Sequence, residues 1–169
     1  MSDKECLCVK CAKLVGKTCC QNMEIYVTPG DTARITEYTG QSGFYEFLKP
    51  SPAYSEQEDD PIWKAYVFRS DGTRRILKRT DEGNCIFLTL NGCRLSTEIR
   101  PLLCRLYPYT FDADNIYLKF EEGCPVNLLK PKQSLAEALN ISLEKAIEWH
   151  YILYTEILLE ESYESRINL

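Results

Sequence analysis

Alternation of hydrophobic and polar residues predicts short strands in the middle of the chain. Two alternating runs flank Asp71-Gly72 within residues 63–79, and another pair flanks Asn91-Gly92 within residues 85–93. Asp-Gly and Asn-Gly favour tight two-residue turns, so each region predicts a β-hairpin. Runs rich in β-branched and aromatic residues predict two further strands, at residues 23–27 and 115–120.

Helical periodicity is strongest near the C-terminus. Ser134 and Glu137 have the spacing of a capping box, and a longer helix is predicted from about Ser142 to Glu161. Apolar residues recur there at i, i+3 and i+4, which predicts one buried face. That face comprises Leu143, Ala146, Ile147, His150, Tyr154, Ile157 and Leu158.

Weaker signals predict the remaining elements. Asp31 as N-cap and Gly40 as a stop predict one short helix, and Ser96 as N-cap predicts another that ends before Pro108. The acidic, proline-flanked residues 51–61 are typical of a surface loop. Together these elements predict a single α+β domain over residues 1–169, with short β-hairpins, a cysteine-rich N-terminal loop and a long C-terminal helix. The cysteine core spans residues 6–125, and the helical C-terminal segment spans 134–165.

Cysteine content changes the picture most, because nine cysteines fall into two groups. The first is Cys6, Cys8, Cys11, Cys19 and Cys20, and the second is Cys85, Cys93, Cys104 and Cys124. The polar N-terminus resembles no targeting signal and no apolar run is long enough to cross a membrane, so we expect a cytoplasmic protein with reduced thiols. Thiolates bind zinc and iron–sulfur clusters, so the sequence predicts a metal centre.

Two arginines flank the Cys104 segment. Arg100 and Arg105 could offset the negative charge of a thiolate cluster and donate hydrogen bonds to sulfur, so we predict that they help to bind the cofactor. A salt bridge with Glu98 or Asp112 is an equal alternative.

A basic run and a single histidine complete the candidate residues. The run on the first predicted hairpin is interpreted as a solvated face, or else as a docking patch for an acidic partner; it comprises Arg69, Arg74, Arg75, Lys78 and Arg79. His150 is interpreted as a core histidine rather than a ligand. Because it is the only histidine, a histidine-rich catalytic zinc site is excluded.

The cysteine-bearing segments resemble a known family. CVKCAKLVGKTCC, GNCIFLTLNGCRLSTEIRPLLCRLYPYTF and EEGCP are similar to the YkgJ-like cysteine-cluster family, the CxxCxxCC zinc- or iron-chelating domain. The resemblance implies eight metal ligands: Cys8, Cys11, Cys19, Cys20, Cys85, Cys93, Cys104 and Cys124. Cys6 is left over. The seven residues Ala12 to Thr18 make the first motif longer than is usual in the family, so Cys6 could compete with Cys8 and Cys11 as a ligand.

The resemblance implies a metal-binding protein of unassigned role. An iron–sulfur cluster such as 4Fe-4S is expected ahead of zinc, in a protein that could act with a partner. A distant similarity to the cysteine-rich part of flagellin lysine methylases raises a second possibility, a lysine methyltransferase that uses S-adenosylmethionine. No glycine-rich donor loop supports it, and the sequence identifies no catalytic residue. A structural zinc module that binds a protein partner is the third. With a net charge of −5, nucleic acid is not an expected partner.

Overall fold

The computed structural model describes residues 7–15, 20–55, 60–120 and 126–160. Within these ranges the helices are α1 (Leu7–Val15), α2 (Pro29–Thr39), α3 (Pro52–Ser55), α4 (Pro61–Tyr66), α5 (Leu102–Leu106), α6 (Leu135–Leu139) and α7 (Leu143–Leu158), with a 3₁₀ turn at Val126–Leu128. The strands are β1 (Tyr45–Leu48), β2 (Arg74–Leu77), β3 (Leu88–Thr89), β4 (Gly92–Cys93), β5 (Tyr109–Phe111) and β6 (Ile116–Phe120). The protein is therefore α+β, as predicted.

The described strands form antiparallel pairs. β1 pairs with β2, β3 with β4, and β5 with β6, the last pair with an irregularity between Tyr109 and Thr110. The predicted hairpin at residues 85–93 is confirmed as β3–β4. Its connecting residues are Leu90-Asn91 rather than Asn91-Gly92, and Gly92 begins β4 with a φ of 96°. The predicted strand at 115–120 is confirmed as β6.

The first predicted hairpin is wrong. Residues 61–66 form α4, because the Asp60 side chain accepts the backbone N–H groups of Ile62 and Trp63, each at 3.1 Å, and Pro61 is compatible with a first helical turn. The second half of the predicted hairpin is β2, whose partner is β1 from an earlier part of the chain. The turn at Asp71-Gly72 is real, but it connects a helix to a strand.

The predicted strand at residues 23–27 is also wrong, although the segment is extended beside β2. Only Tyr26 forms a bridge there, with Ile76. Val27 N–H donates to the carbonyl of Arg75 at 3.0 Å, and Leu77 N–H donates to that of Ile25 at 2.9 Å. The predicted loop at 51–61 contains α3 and the start of α4, and residues 56–59 lie outside the described residues.

Helix boundaries were predicted best where the signal is local. α2 ends at Gly40 with a φ of 70°, as predicted, but its N-cap is Thr28, and Asp31 is the third residue of a capping box. Ser134 and Glu137 form the predicted capping box of α6, and Ser142 caps α7. α5 ends before Pro108 but begins after Pro101, because Ser96 starts a separate turn whose carbonyl accepts Ile99 and Arg100 N–H.

Two clusters of buried side chains form the core. The first, under α7, contains Tyr26, Trp63, Val67, Leu102, Leu106, Tyr109, Ile141, Ala146, Trp149, Leu153, Tyr154 and Ile157. The second lies around the β3–β4 hairpin and contains Val27, Ile35, Phe44, Leu77, Phe87 and Leu95. We call them the helix core and the hairpin core.

The predicted face of α7 is only partly correct. Ala146, Tyr154 and Ile157 are buried, whereas Leu143, Ile147 and Leu158 are each about half exposed, at 46%, 53% and 47%. Trp149 and Leu153 are buried instead. α7 packs on α5 and α4 through a face rotated towards these two larger side chains.

The prediction of a solvated basic run is wrong for its two central arginines, which are buried. Arg74 and Arg75 are 2% and 1% exposed. Arg74 pairs with Glu24 at 2.9 Å, and Arg75 pairs with Glu160 at 2.8 Å, so both charges are buried with a carboxylate. None of the described helices is long and apolar enough to span a membrane.

Candidate metal centre

Cys20 and Cys85 lie side by side on two paired segments. Cys85 N–H donates to the carbonyl of Cys20 at 2.8 Å, and Asn22 N–H donates to that of Gly83 at 2.9 Å. A Cβ on Gly83, whose φ is 84°, would lie 2.4 Å from Asn22 Oδ1. The close pairing that brings Cys20 to Cys85 therefore requires glycine at position 83.

The β3–β4 hairpin positions Cys93 relative to Cys85. Cys93 pairs with Leu88, and Leu88 N–H donates to the carbonyl of Cys85 at 3.0 Å. Phe87, between these residues, is 1% exposed and anchors the hairpin in the hairpin core, against which Cys85 and Cys93 pack. The buried phenylalanine fixes the hairpin's position, and the tight turn returns the chain to Cys93.

Cys104 comes from α5. Leu102 and Leu106 on either side of it are fully buried beneath α7, so the helix cannot rotate freely about its axis. Cys104 itself is partly buried. The described thiols of Cys8, Cys11, Cys20, Cys85, Cys93 and Cys104 are free of disulfides.

Electrostatic coupling shows that four of these thiols are neighbours. Burial raises the pKa of Cys85 to about 11, with further contributions from Cys20 and Cys93. Burial also raises the pKa of Cys104 well above its usual value, and Cys20, Cys85 and Cys93 add to the rise. Cys20 thus lies close enough to Cys85, Cys93 and Cys104, more than 60 residues further along the chain, for their charges to interact.

The candidate metal donors in this group are all thiols. His150 is half-buried and its Nε2 lies 2.6 Å from the carbonyl oxygen of Asp112, consistent with the interpretation as a core histidine. The Asp31 carboxylate adds to the pKa rise of Cys104, but it is occupied by hydrogen bonds from the protein. Four thiols suit zinc or iron–sulfur clusters in their chemistry. In the described part of the chain, no group of three or more His, Cys, Asp or Glu side chains has the geometry to hold one metal ion as it stands.

Cys8 and Cys11 are carried by α1, where their i, i+3 spacing puts them on one side of the helix. A Cβ on Gly92 would lie 3.1 Å from Val9 Cγ2, so α1 packs against the turn that precedes Cys93. The cysteine-rich N-terminal loop is thus in part a helix. Cys6, Cys19 and Cys124 lie outside the described residues, and the assignment of eight ligands stays a prediction.

The two predicted arginines occupy different environments. The charge of Arg100 and a hydrogen bond from its side chain both act to lower the pKa of Cys93, although burial, the largest effect, leaves that pKa raised overall. Arg100 Nε also donates to the carbonyl of Leu95 at 3.1 Å. Arg100 is therefore beside the thiols, in a position to bond to sulfur.

Arg105 is buried and turns back along the chain. Its Nε donates to the carbonyl of Arg100 at 2.7 Å and its Nη2 to that of Glu98 at 2.5 Å. The predicted salt bridge with Glu98 is long, at 4.0 Å, and Glu98 is largely exposed. Arg105 thus acts mainly on the backbone that carries Arg100.

Sequence reasoning missed the role of Asp31 next to this site. Both of its oxygens accept Leu102 N–H at the start of α5, at 3.1 and 3.3 Å. The Thr-x-x-Asp spacing from Thr28 predicts a capping box and could have corrected the N-cap. No local signal points to the contact with Leu102, which is 71 residues away.

Comparison with known proteins identifies the class. Residues 7–125 match the family model "CxxCxxCC: Putative zinc- or iron-chelating domain". The match covers more than half of the chain, and the chain belongs to this family. No curated protein and no solved structure matches the chain. The resemblance noted in the sequence is thereby confirmed for the cysteine-cluster family, and a chelating role for zinc or iron follows at that level.

Proposed function

We propose that this protein holds an iron–sulfur cluster, or alternatively zinc, through the thiolates of Cys20, Cys85, Cys93 and Cys104. The observation that carries the proposal is that these four thiols are neighbours. The pKa values of Cys85, Cys93 and Cys104 are each raised in part by another cysteine of the group. Burial and their neighbours raise the pKa values of Cys85 and Cys104, so without a cation these thiols keep their protons at neutral pH, and a bound metal would favour the thiolates.

The iron–sulfur reading comes ahead of zinc for two reasons. Arg100 can donate to a ligand sulfur, and hydrogen bonds to sulfur are one way in which proteins set cluster potentials. The Cys124-Pro125 step also occurs in the cluster runs of bacterial ferredoxins. A zinc site would use the same four sulfurs in a closed tetrahedral arrangement. The remaining predicted ligands, Cys8, Cys11, Cys19 and Cys124, would then serve a second centre or extend the first.

The test is anaerobic purification followed by iron, zinc and acid-labile sulfide analysis. We expect iron with matching sulfide, and each single serine substitution of the four cysteines should reduce the metal content strongly. Cys6→Ser is the matched control, because Cys6 is outside the eight residues aligned with the family.

The alternatives are distinguished by the same samples. Zinc without sulfide, lost in the same four variants, would replace the cluster by a structural zinc site. Full metal content in Cys85→Ser and Cys104→Ser would refute the four-thiol centre itself.

A further inference from the structure

α5, the helix that carries Cys104, has no side-chain cap of its own. The residue before it is Pro101, which offers neither a hydroxyl nor a carboxylate to the first N–H groups. The Asp31 carboxylate fills this role from another element, because Leu102 N–H donates to both of its oxygens. Cys104 follows two residues later in the same turn, so its position depends on where that turn begins.

The Asp31 carboxylate is itself held firmly. It is completely buried, with 0% of the residue exposed. Besides Leu102 N–H it accepts Thr28 N–H at 3.2 Å and Arg34 Nη2 at 2.7 Å. Donors from two helices thus converge on one carboxylate, which leaves it little freedom to move.

Arg34 extends this connection to the C-terminal helix. Its Nη1 lies 2.5 Å from Glu156 Oε1 and its Nη2 lies 3.0 Å from Oε2. The Thr28 hydroxyl also donates to Glu156. Glu156 belongs to α7, beyond the residues 7–125 that match the family model. The support of Cys104 therefore includes a helix outside the matched segment.

We propose that Asp31 is a positioning residue of the metal centre, which fixes the start of α5 and hence Cys104, and that Glu156 of α7 braces this carboxylate through Arg34 of α2. The inference rests on the proposed function for its effect on metal binding, whereas the cap on α5 exists without metal. Partners one step removed from metal ligands orient those ligands, and their loss commonly weakens metal binding 10- to 100-fold.

Asp31→Asn tests the proposal with little change in shape. The amide keeps one acceptor oxygen but replaces the other by a donor, so the bonds from Leu102, Thr28 and Arg34 cannot all be kept. We expect the affinity for Co²⁺, measured by absorption titration against a chelator, to fall about 10-fold or more. Glu156→Gln should weaken binding less, and the two effects should be non-additive because both act through Arg34.

Glu24→Gln is the matched control. Glu24, like Asp31, has a buried carboxylate paired with an arginine, but that carboxylate accepts from Arg74 and from Ser51 N–H and from no described residue of α5. It should lower the stability of the metal-free protein without weakening Co²⁺ binding. Equal loss of Co²⁺ affinity in Glu24→Gln and Asp31→Asn would overturn the proposal, as would wild-type affinity in Asp31→Asn.

Amide hydrogen exchange of the metal-free protein gives a readout that is independent of metal. Leu102 N–H should be protected in the wild type and lose protection in Asp31→Ala, which leaves it no side-chain acceptor at position 31, while amides in the middle of α7 stay protected. Unchanged Leu102 protection would overturn the proposal. If the wild type bound no metal at all, the proposed function would fail, but the exchange result would still decide the role of Asp31. If Asp31→Asn did not fold, Glu156→Gln would decide, with wild-type Co²⁺ affinity counting against the proposal.

Discussion

Gly30→Ala should destabilise this protein, although alanine is the better helix former. Gly30 lies in the first turn of α2, and a Cβ there would come within 2.2 to 2.4 Å of the Glu156 carboxylate atoms. Glu156 would have to move away from Arg34 and Thr28, to which it is hydrogen-bonded. The glycine therefore leaves room for the Glu156 carboxylate at the N-terminal end of α2.

The magnitude follows from two opposed contributions. Hydrogen bonds to charged groups contribute about 1.5–3 kcal/mol each, and the lower end applies because Arg34 is 28% exposed and retains Asp31. Replacing glycine by alanine in a helix returns about 0.5–1 kcal/mol. We expect a net loss of about 1 kcal/mol in the free energy of unfolding, measured by urea denaturation.

A double-mutant cycle isolates the cause. In a Glu156→Ala background the clash is gone, so Gly30→Ala should stabilise by about 0.5 kcal/mol. Gly43→Ala is the control, because nothing lies within 4 Å of a Cβ built at that position. Destabilisation of the same size with and without Glu156 would refute the reasoning.

Three further predictions concern the paired segments, the buried charges and the thiols. Gly83→Ala should weaken metal binding, because a φ of 84° strains alanine and its Cβ would push the Asn22 side chain away from the pairing that holds Cys20; unchanged metal affinity would contradict this. Glu24 is desolvated by burial, which raises its pKa, but hydrogen bonds from Arg74 and Ser51 lower that pKa overall. The stability from this pair is therefore present above about pH 4.5 and is lost as the pH falls through the lowered pKa. Below that pH the free energy of unfolding of Glu24→Gln should decrease less steeply than that of the wild type. Because the pKa of Cys85 is about 11, metal binding at neutral pH must release protons, and calorimetry in buffers of different ionisation enthalpy should detect them; an affinity independent of pH would contradict this.

The elements that could be predicted from sequence are those decided within a few residues. The capping box at Ser134 and Glu137, the stop at Gly40 and the β3–β4 hairpin all depend on neighbours in the chain. The same holds for the family resemblance, since cysteine spacing is itself a local pattern. These predictions are reliable because the backbone N–H and C=O groups at such helix ends and turns find their hydrogen-bond partners within a few residues.

What could not be predicted depends on partners far along the chain. Arg74 and Arg75 lie in a polar run, which predicts exposure. Their burial depends on Glu24, 50 residues from Arg74, and on Glu160, 85 residues from Arg75. β2 likewise pairs with β1 rather than with the residues just before it. For the metal centre, the cysteines could be predicted as a set, but not which four converge. Convergence depends on the pairing of residues 20–22 with 83–85 and on the cap from Asp31.

The two buried clusters predict how the protein responds when its metal is removed. The helix core contains no described cysteine, and its tryptophan, leucine and tyrosine side chains pack without the metal centre. The hairpin core, by contrast, has Cys85 and Cys93 packed against it. Metal bound at these thiols should therefore stabilise the hairpin core more than the helix core.

A chelator should accordingly loosen one part of the molecule and leave the other folded. In hydrogen exchange, amides of residues 85–93 should exchange faster after metal removal, while those of α7 should keep most of their protection. This differs from a small zinc finger, which unfolds without its metal because it has too little core of its own. The reason for the difference is that Trp149 and Leu153 of α7 belong to a helix core of twelve buried side chains, which packs on α4 and α5 without the metal. Simultaneous loss of protection throughout the chain would show that the two cores unfold as one unit and that the metal centre holds both.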